Sequence, residues 1–507
     1  MIRTPTILAA LALAISLSGP AKSAGDGVVD IVAPFEIKGM DPTTSGDVFL
    51  RMGIVETLVE ADAEGRPIPA LAKAWSLSED GKLWTFELQP NARFHDGAPV
   101  DAKAVANALE IARGKPGLLS KTPIQSIDAV GDKQLTIRLT APFAPLLAFL
   151  AESRAQVLAP SAYTGSDVKA IIGSGPFKLT GFAPPQSLTV ERNPDYWGAK
   201  PQIEKATYLS VSRAETRALM AESGDADYVF NLDPASRTRL SKSNKVKVLS
   251  VSIPRSVMLK VNAGRDVLAD RKAREALSLA IDREGLAVAV LRYPAAATQL
   301  FPPSLGIWHD KDLPPLAYEP EKAKALLAEL GWTPGADGIL QKDGKPFALT
   351  LTTYPDRPEL PLIAAVLQDQ MAEIGVSLTI NSTNSSEIPA KHQDGSLDLG
   401  LMARNFALVP DPIGTMLTDY GPKGGDWGAM NWSNPDFDAA LSKLTRIADA
   451  AEGAELRREA VAAIQNDLPV IPIAWYQQTV AISPKLEGAG IDPYERSFGL
   501  DKMRWAE

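Results

Sequence analysis

The sequence predicts an α/β protein built as two lobes with mixed sheets, on three observations. Its 507 residues exceed what one hydrophobic core holds. Strand-like and helix-like segments alternate along most of the chain, which implies helices packed against sheets. No low-complexity linker divides it: the pattern shifts near residues 245–255 with only "SKSNKVKV" before the change. The lobes are therefore expected to be joined by strands crossing a hinge, a geometry that suits a clamp closing on a ligand.

The chain begins "MIRTPTILAALALAISLSGPAKSAGDG". Arg3 supplies a positive start, and Ile7 to Leu17 is an apolar run too short to span a bilayer. Ala21 and Ser23 are small residues ahead of a cut before Ala24, so residues 1–23 read as a signal peptide. There is no cysteine, which removes disulfides, thiolate metal sites and a lipidated anchor. A free periplasmic protein, not a lipoprotein, is expected. A net charge of −9 without a basic block argues against nucleic acid or an anionic membrane as partner.

Residues 28–140 alternate short strands and turns. "LWTFEL" (83–88) alternates Trp84, Phe86 and Leu88 against Thr85 and Glu87, as a half-buried strand does. Asp80-Gly81 makes the turn before it, and Asp101 caps the helix "AKAVANALEIAR". "KQLTIRL" is a strand, followed past Pro142 and Pro145 by an apolar helix. "IIGSGPFKLTGF" (171–182) and "SLTVERNPDYWG" are strands. "SRAETRALMAESGDADYVFN" is a helix stopped at Gly224, then a buried strand. "RSVMLKVNAG" is strand-like, and "ADRKAREALSLAIDREGLAVAVL" reads as one long helix capped by Asp270. "EPEKAKALLAELGW" is a helix with Pro320 near its start and Gly331 past its end. "FALTLTTY", a helix stopped at Gly375, a strand and "LDLGLMAR" follow, then two helices and a closing apolar strand to "WYQQTVAI".

Motifs for catalysis are missing. The histidines His95, His309 and His392 include no HExxH pair, and there is no GxSxG elbow, P-loop or GxGxxG. His95-Asp96 has the form of a base with its carboxylate, but Asp96-Gly97 marks a turn, and the turn is the reading adopted. A stronger signal is the segment 403–432, "ARNFALVPDPIGTMLTDYGPKGGDWGAMNW", which is long, rich in Gly and Pro, and aromatic. Phe406, Tyr420, Trp427 and Trp432 in it, with Trp308, Trp475 and Tyr476 outside, either wall a ligand cleft or pack the core. Arg404 ends a predicted strand, where open α/β sheets place ligand contacts. It is either a two-pronged carboxylate contact or an ordinary ion pair.

Taken together, the stretch from "GIVETLVEADAEGRPIPALAKAW" through "FHDGAPVDAKAV", then "GSGPFKL", "ERNPDYWGAKPQIEKATY", "REALSLAIDREGL", "KAKALLAELGW" and "WSNPDFDAALSKL", resembles family 5 solute-binding proteins. These are the oligopeptide, dipeptide and nickel receptors of ABC importers. The resemblance implies a two-lobed periplasmic clamp of the class II type. It divides the chain into a first lobe at 24–252, with an extra subdomain at roughly 70–170, a second lobe at 253–477, and a return to the first at 478–507. It further implies a monomer that catalyses nothing, has no cofactor of its own, and hands its ligand to a membrane permease and its ATPase.

Oligopeptide receptors carry an acid shortly before an Asp-Pro step, where it pairs with the peptide amine. Here Asp411-Pro412 is preceded from Asn405 onward by no carboxylate, and a buried ammonium without a partner is costly. "ARNFALVPDP" instead is similar to the nickel branch, with Arg404 and Phe406 at the branch's Arg and aromatic positions. That branch binds metal as a small carboxylate chelate. Arg154 in "ESRAQVLAPSAY" stands near its first-lobe arginines, one or two positions off. Its direct His ligand has no counterpart, because residues 413–432 contain none. The ligand contacts expected are Arg404, Phe406, Arg154, Tyr420 and Trp427, with no protein metal ligand. The ligand expected is a metal–metallophore complex, an opine or another small carboxylate. The alternatives are an oligopeptide or dipeptide receptor and, more remotely, an exported hydrolase or chaperone.

Overall fold

The computed structural model describes residues 27–406, 409, 411–422, 424–447 and 450–506. The expected signal peptide lies outside these residues. Among them, no helix is long and apolar enough to cross a membrane.

The chain opens with β1 (Val28–Ala33) and α1 (Pro42–Arg51), which is capped by Asp41 through its side chain to Thr43 N. β2 (Ala72–Leu77), β3 (Leu83–Leu88), α2 (Ala102–Arg113), β4 (Ile124–Val130) and β5 (Gln134–Leu139) follow. These strands make a separate antiparallel sheet in the order β2-β3-β5-β4. In β3 the alternation holds: Trp84, Phe86 and Leu88 are buried and Glu87 is exposed. Asp101 caps α2 as expected, accepting from Ala104 N at 2.8 Å.

β6 (Phe177–Ala183), β7 (Ser187–Arg192), β8 (Lys205–Ser210) and β9 (Tyr228–Phe230) return to the first layer. β10 (Lys247–Val261) then leads into the second half. It holds α3 (Arg271–Leu279), β11 (Ala348–Thr353), α4 (Glu359–Glu373), β12 (Ser377–Ser382), α5 (Glu387–Gln393), β13 (Leu399–Asn405) and α6 (Ile413–Asp419). β14 (Val470–Ile482) closes the main sheet. The ten strands run β6-β7-β8-β1-β9-β14-β10-β13-β11-β12.

The two long strands explain the two-lobed shape. One end of β10 pairs with β14 over Lys247–Ser252, on the side that carries β9 and β1. The other end pairs with β14 over Ser256–Lys260 and with β13 over Arg255–Val261. The register breaks between Ser252 and Ser256, so the ribbon bends where it passes from one lobe to the other. The lobes also touch away from the hinge. Ala144 N donates to Thr445 O at 2.8 Å, and Lys121 Nζ donates to Thr418 Oγ1 at 3.4 Å.

Two expectations need correcting. "IIGSGPFKLTGF" is a strand only from Phe177; the glycines before it are a close-packed turn. A Cβ on Gly173 would lie 2.1 Å from Ile54 O, and one on Gly175 2.2 Å from Gly53 O. The expected long helix after Asp270 breaks after Leu279. Asp282 starts a second cap, accepting from Gly285 N. Arg283, buried, donates to the carbonyls of Ser278 and Pro472, and so satisfies groups the break would orphan.

Candidate functional site: the hinge between the lobes

Open α/β sheets gather ligands at the carboxyl ends of their strands. In the first lobe, the parallel strands β1, β8 and β9 end toward the second lobe, and Asn231 follows β9 directly. In the second, β11 and β13 run parallel and end on one shared edge. That edge carries Tyr354, Arg357, Glu359, Arg404 and Asn405. β10 and β14 supply Arg255 and Tyr476 at the hinge itself, and the C-terminal segment supplies Glu495.

These side chains converge. Tyr476 lies under two guanidinium groups, with Arg255 5.1 Å and Arg357 5.2 Å from its ring centre. Its hydroxyl accepts from Arg357 Nη1 at 3.1 Å and donates to Asn231 Oδ1 at 3.0 Å. Asn231 holds a left-handed backbone, φ 64°, that points it there. The Arg255 guanidinium pairs with the Glu495 carboxylate, which also accepts from Asn405 Nδ2 at 2.8 Å. Arg51, stacked 4.4 Å over Phe35, donates through Nε to the Glu495 carbonyl at 2.7 Å. The contacts Arg255–Glu495, Asn405–Glu495 and Tyr476–Asn231 thus tie the first lobe to the hinge and the second lobe.

Burial sets the electrostatics. It pushes the Glu359 carboxyl up, against the opposing pull of Arg357. It lowers Arg255, with the like charge of Arg357 adding to the effect. Burial acts downward on Arg357 too, but the surrounding Tyr476, Tyr354, Glu359 and Glu495 outweigh it and raise that group. A groove of about 800 Å³ between the lobes opens beside this cluster, lined by Asp233, Arg292, Pro358 and Leu362 among others.

The structure divides the residues expected from the sequence. Trp427 stands edge-on to Tyr354, 6.4 Å between ring centres, and so adjoins the hinge cluster. Arg404 is bonded through Nε to Asp419 Oδ2 at 2.6 Å; its side chain keeps 17% of its surface, while that of Asp419 keeps 2%. Burial raises Asp419, and Arg404 opposes the rise. Next to them Lys260 donates to Gly425 O and Gly428 O at 2.6 and 2.8 Å, fixing the 420s loop. Burial brings Lys260 down to about 7. Gly428 is required there, because a Cβ would lie 2.3 Å from Asp419 O. Phe406 is fully buried, edge-on to Phe301 at 5.0 Å. Tyr420 is buried against Met258 and Phe437. Arg154 lines a small first-lobe pocket with Asp41, Lys115 and Tyr163 and makes none of the hinge contacts.

The other aromatics pack. Trp308 donates to Asp411 Oδ1 at 3.1 Å, Trp432 to Asp467 Oδ2 at 3.0 Å and Trp475 to Gln299 O at 3.1 Å. His95 is structural, as read: its ring bonds Gly175 O at 3.0 Å, and burial lowers it to about 4. His309 bonds Phe301 O at 2.8 Å. No group of three or more His, Cys, Asp or Glu among the described residues could hold a metal ion.

Sequence reasoning missed Arg255, Arg357, Glu359, Asn231 and Glu495. A signal for one of them existed. "FALTLTTYPDRPEL" places Arg357 just past a strand end, by the same logic that selected Arg404.

Two lobes joined by crossing strands, with charged groups closed between them, define the solute-binding class of fold. Residues 66–427 match the family described as bacterial extracellular solute-binding proteins, family 5 Middle, and the chain belongs to that family. It is 29% identical over 504 residues to the nickel-binding periplasmic protein of Escherichia coli K12, covering 94% of this chain and 96% of that one. NikA from Brucella suis, solved with Fe(III)-EDTA, superposes with a TM-score of 0.86 at 24% identity, over 94% of this chain and 99% of the other. NikA from Staphylococcus aureus, solved with Ni(L-His)2, gives 0.82 at 23% identity over the same shares. At these identities the two structures speak for the fold.

Proposed function

We propose that the protein is the periplasmic receptor of an ABC importer and captures a small, carboxylate-bearing metal chelate between its lobes. The observation that carries this reading is the hinge cluster. Three guanidinium groups, of Arg51, Arg255 and Arg357, face two carboxylates, of Glu359 and Glu495, where the lobes meet. Arg51 also pairs with Asp47 at 3.5 Å, so the charges balance, and it is the fork of donors on Arg255 and Arg357 that suits a carboxylate. The relative named for nickel supports a metal cargo. With no cluster of metal ligands among the described residues, the metal is carried inside its chelator. Trp427 and the outer edge of Arg404 complete the wall on the loop side, and Phe406 and Tyr420 support that wall from behind. The protein catalyses no reaction. Affinity comes from closing the lobes over a desolvated ligand, which is then released to the permease.

The test is a melting curve with nickel and L-histidine at a 1:2 ratio. A ligand at 100 times its Kd stabilises by about 2.7 kcal/mol, so a concentration-dependent rise in melting temperature is expected. No rise with any nickel chelate, alongside a rise with di- or tripeptides, would favour the peptide receptors of the family instead.

A further inference from the structure

A second cavity, of about 600 Å³, lies away from the hinge. Its lining comes entirely from segments before β10 and after β14, and none of it belongs to the hinge cluster. Glu56, Tyr196 and Trp197 stand in its wall, each partly exposed. Oε2 of Glu56 accepts from Ser174 Oγ at 2.7 Å and from Trp197 Nε1 at 3.1 Å. Oε1 accepts, among the described residues, from the Tyr196 hydroxyl at 3.1 Å. A carboxylate oxygen can accept two hydrogen bonds, so Oε1 has one position open. Burial lifts the Glu56 carboxyl to about 7, its three neutral donors oppose the rise, and the like charge of Glu60 adds to it. Buried carboxylates are ordinarily paired with a cation, and here the partners are all neutral. Arg496 lines the same cavity and is 6% exposed. Its Nε donates to Glu60 Oε1 at 2.5 Å and its Nη1 to Ala151 O, but Nη2 is a buried donor without a partner.

A group that completes this cavity offers a cation to Glu56 and an oxygen to Arg496. A bare metal ion does not fit. The hydrogens of three donors already point at the Glu56 carboxylate, and no group of three or more ligating side chains is found among the described residues. A carboxylate-bearing ligand does not fit either. Five carboxylates line the cavity against Arg496 and Lys502, and Arg496 is already paired with Glu60. A hydroxyl oxygen satisfies Arg496 Nη2 without adding charge. We infer that the cavity binds a small hydroxylated amine, whose ammonium meets Glu56 Oε1 and whose hydroxyl meets Arg496 Nη2. A charge-assisted bond to a carboxylate is strong where water is scarce. Tyr196 and Trp197, 5.4 Å apart between ring centres, add aromatic surface that favours a cation and its carbon chain. Occupancy of this cavity does not depend on what the hinge holds.

The test compares D-glucamine with D-sorbitol, which has a hydroxyl where glucamine has its ammonium. Calorimetry on the full chain is run at pH 8, where the Glu56 carboxyl, at about 7, is ionised. Glucamine is expected to bind at least tenfold more tightly than sorbitol, because a buried charged group discriminates against the ligand that leaves it unpaired. Glu56→Gln should lower glucamine affinity at least tenfold and change sorbitol binding by no more than about threefold. Equal affinities of the two ligands in the unmodified protein overturn the site whether or not the variant folds. Failure of both glucamine and ethanolamine to bind at millimolar concentration overturns it as well. So does a preference for glucamine that persists undiminished in Glu56→Gln, which would place the amine elsewhere on the chain.

Discussion

Replacing Arg255 by alanine is expected to lower the stability of the ligand-free protein by about 3–5 kcal/mol. Arg255 is 5% exposed and Glu495 4%, so the carboxylate loses its main counter-charge in a place water does not reach. Asn405 still donates to Glu495 at 2.8 Å, but a neutral amide does not offset a buried charge. The cation over Tyr476 is lost as well. The pair itself contributes less than this figure suggests, because both charges were desolvated to form it. Arg255→Ala combined with Glu495→Gln should therefore recover most of the loss. Urea midpoints at unchanged slope measure both. A single variant within 1 kcal/mol of the unmodified protein would mean that the lobes do not depend on this contact to close.

Arg404→Ala should act on two properties that can be separated. Asp419 keeps only 2% of its side-chain surface, and with Arg404 gone the cations left near it are Lys260 and Lys121, neither hydrogen-bonded to it. A loss of about 2–3 kcal/mol in stability follows from an orphaned buried charge, and Asp419→Asn should relieve it. Ligand affinity is a separate matter. If the outer edge of the guanidinium meets a carboxylate, a chelate weakens by about 2–5 kcal/mol, and Asp419→Asn does not restore it. Retained affinity in the stabilised double variant would reduce Arg404 to a loop support that holds the 420s segment beside Lys260.

The sequence made the elements legible wherever a local rule sets them. Asp101 and Asp270 cap helices, Gly224, Gly331 and Gly375 take left-handed turns, and β3 alternates as its residues dictate. It misled where a distant partner decides. At the break after Leu279 Asp282 offers a local cap, but the buried Arg283 that satisfies the broken ends reaches Pro472, nearly two hundred residues on, which no local pattern encodes. The site divides in the same way. An aromatic loop and a strand end singled out Trp427 and Arg404, which stand beside Tyr354 and Asp419 respectively. Arg255 and Glu495 are ordinary in sequence, and they join Tyr476, one of the aromatics already singled out, only when β10, β14 and the C-terminal segment meet. Phe406 and Tyr420 show the limit of the aromatic signal: the rings that look most like a cleft wall in sequence are buried behind it.

The central claim is that the hinge holds a metal chelate and nothing larger. Native mass spectrometry of protein purified from the periplasm of its own cells tests this most directly. One metal ion with a small carboxylate-bearing chelator per chain, lost in Arg255→Ala, is the result predicted. A ladder of peptide masses, or a bound metal that survives in Arg255→Ala, would contradict it.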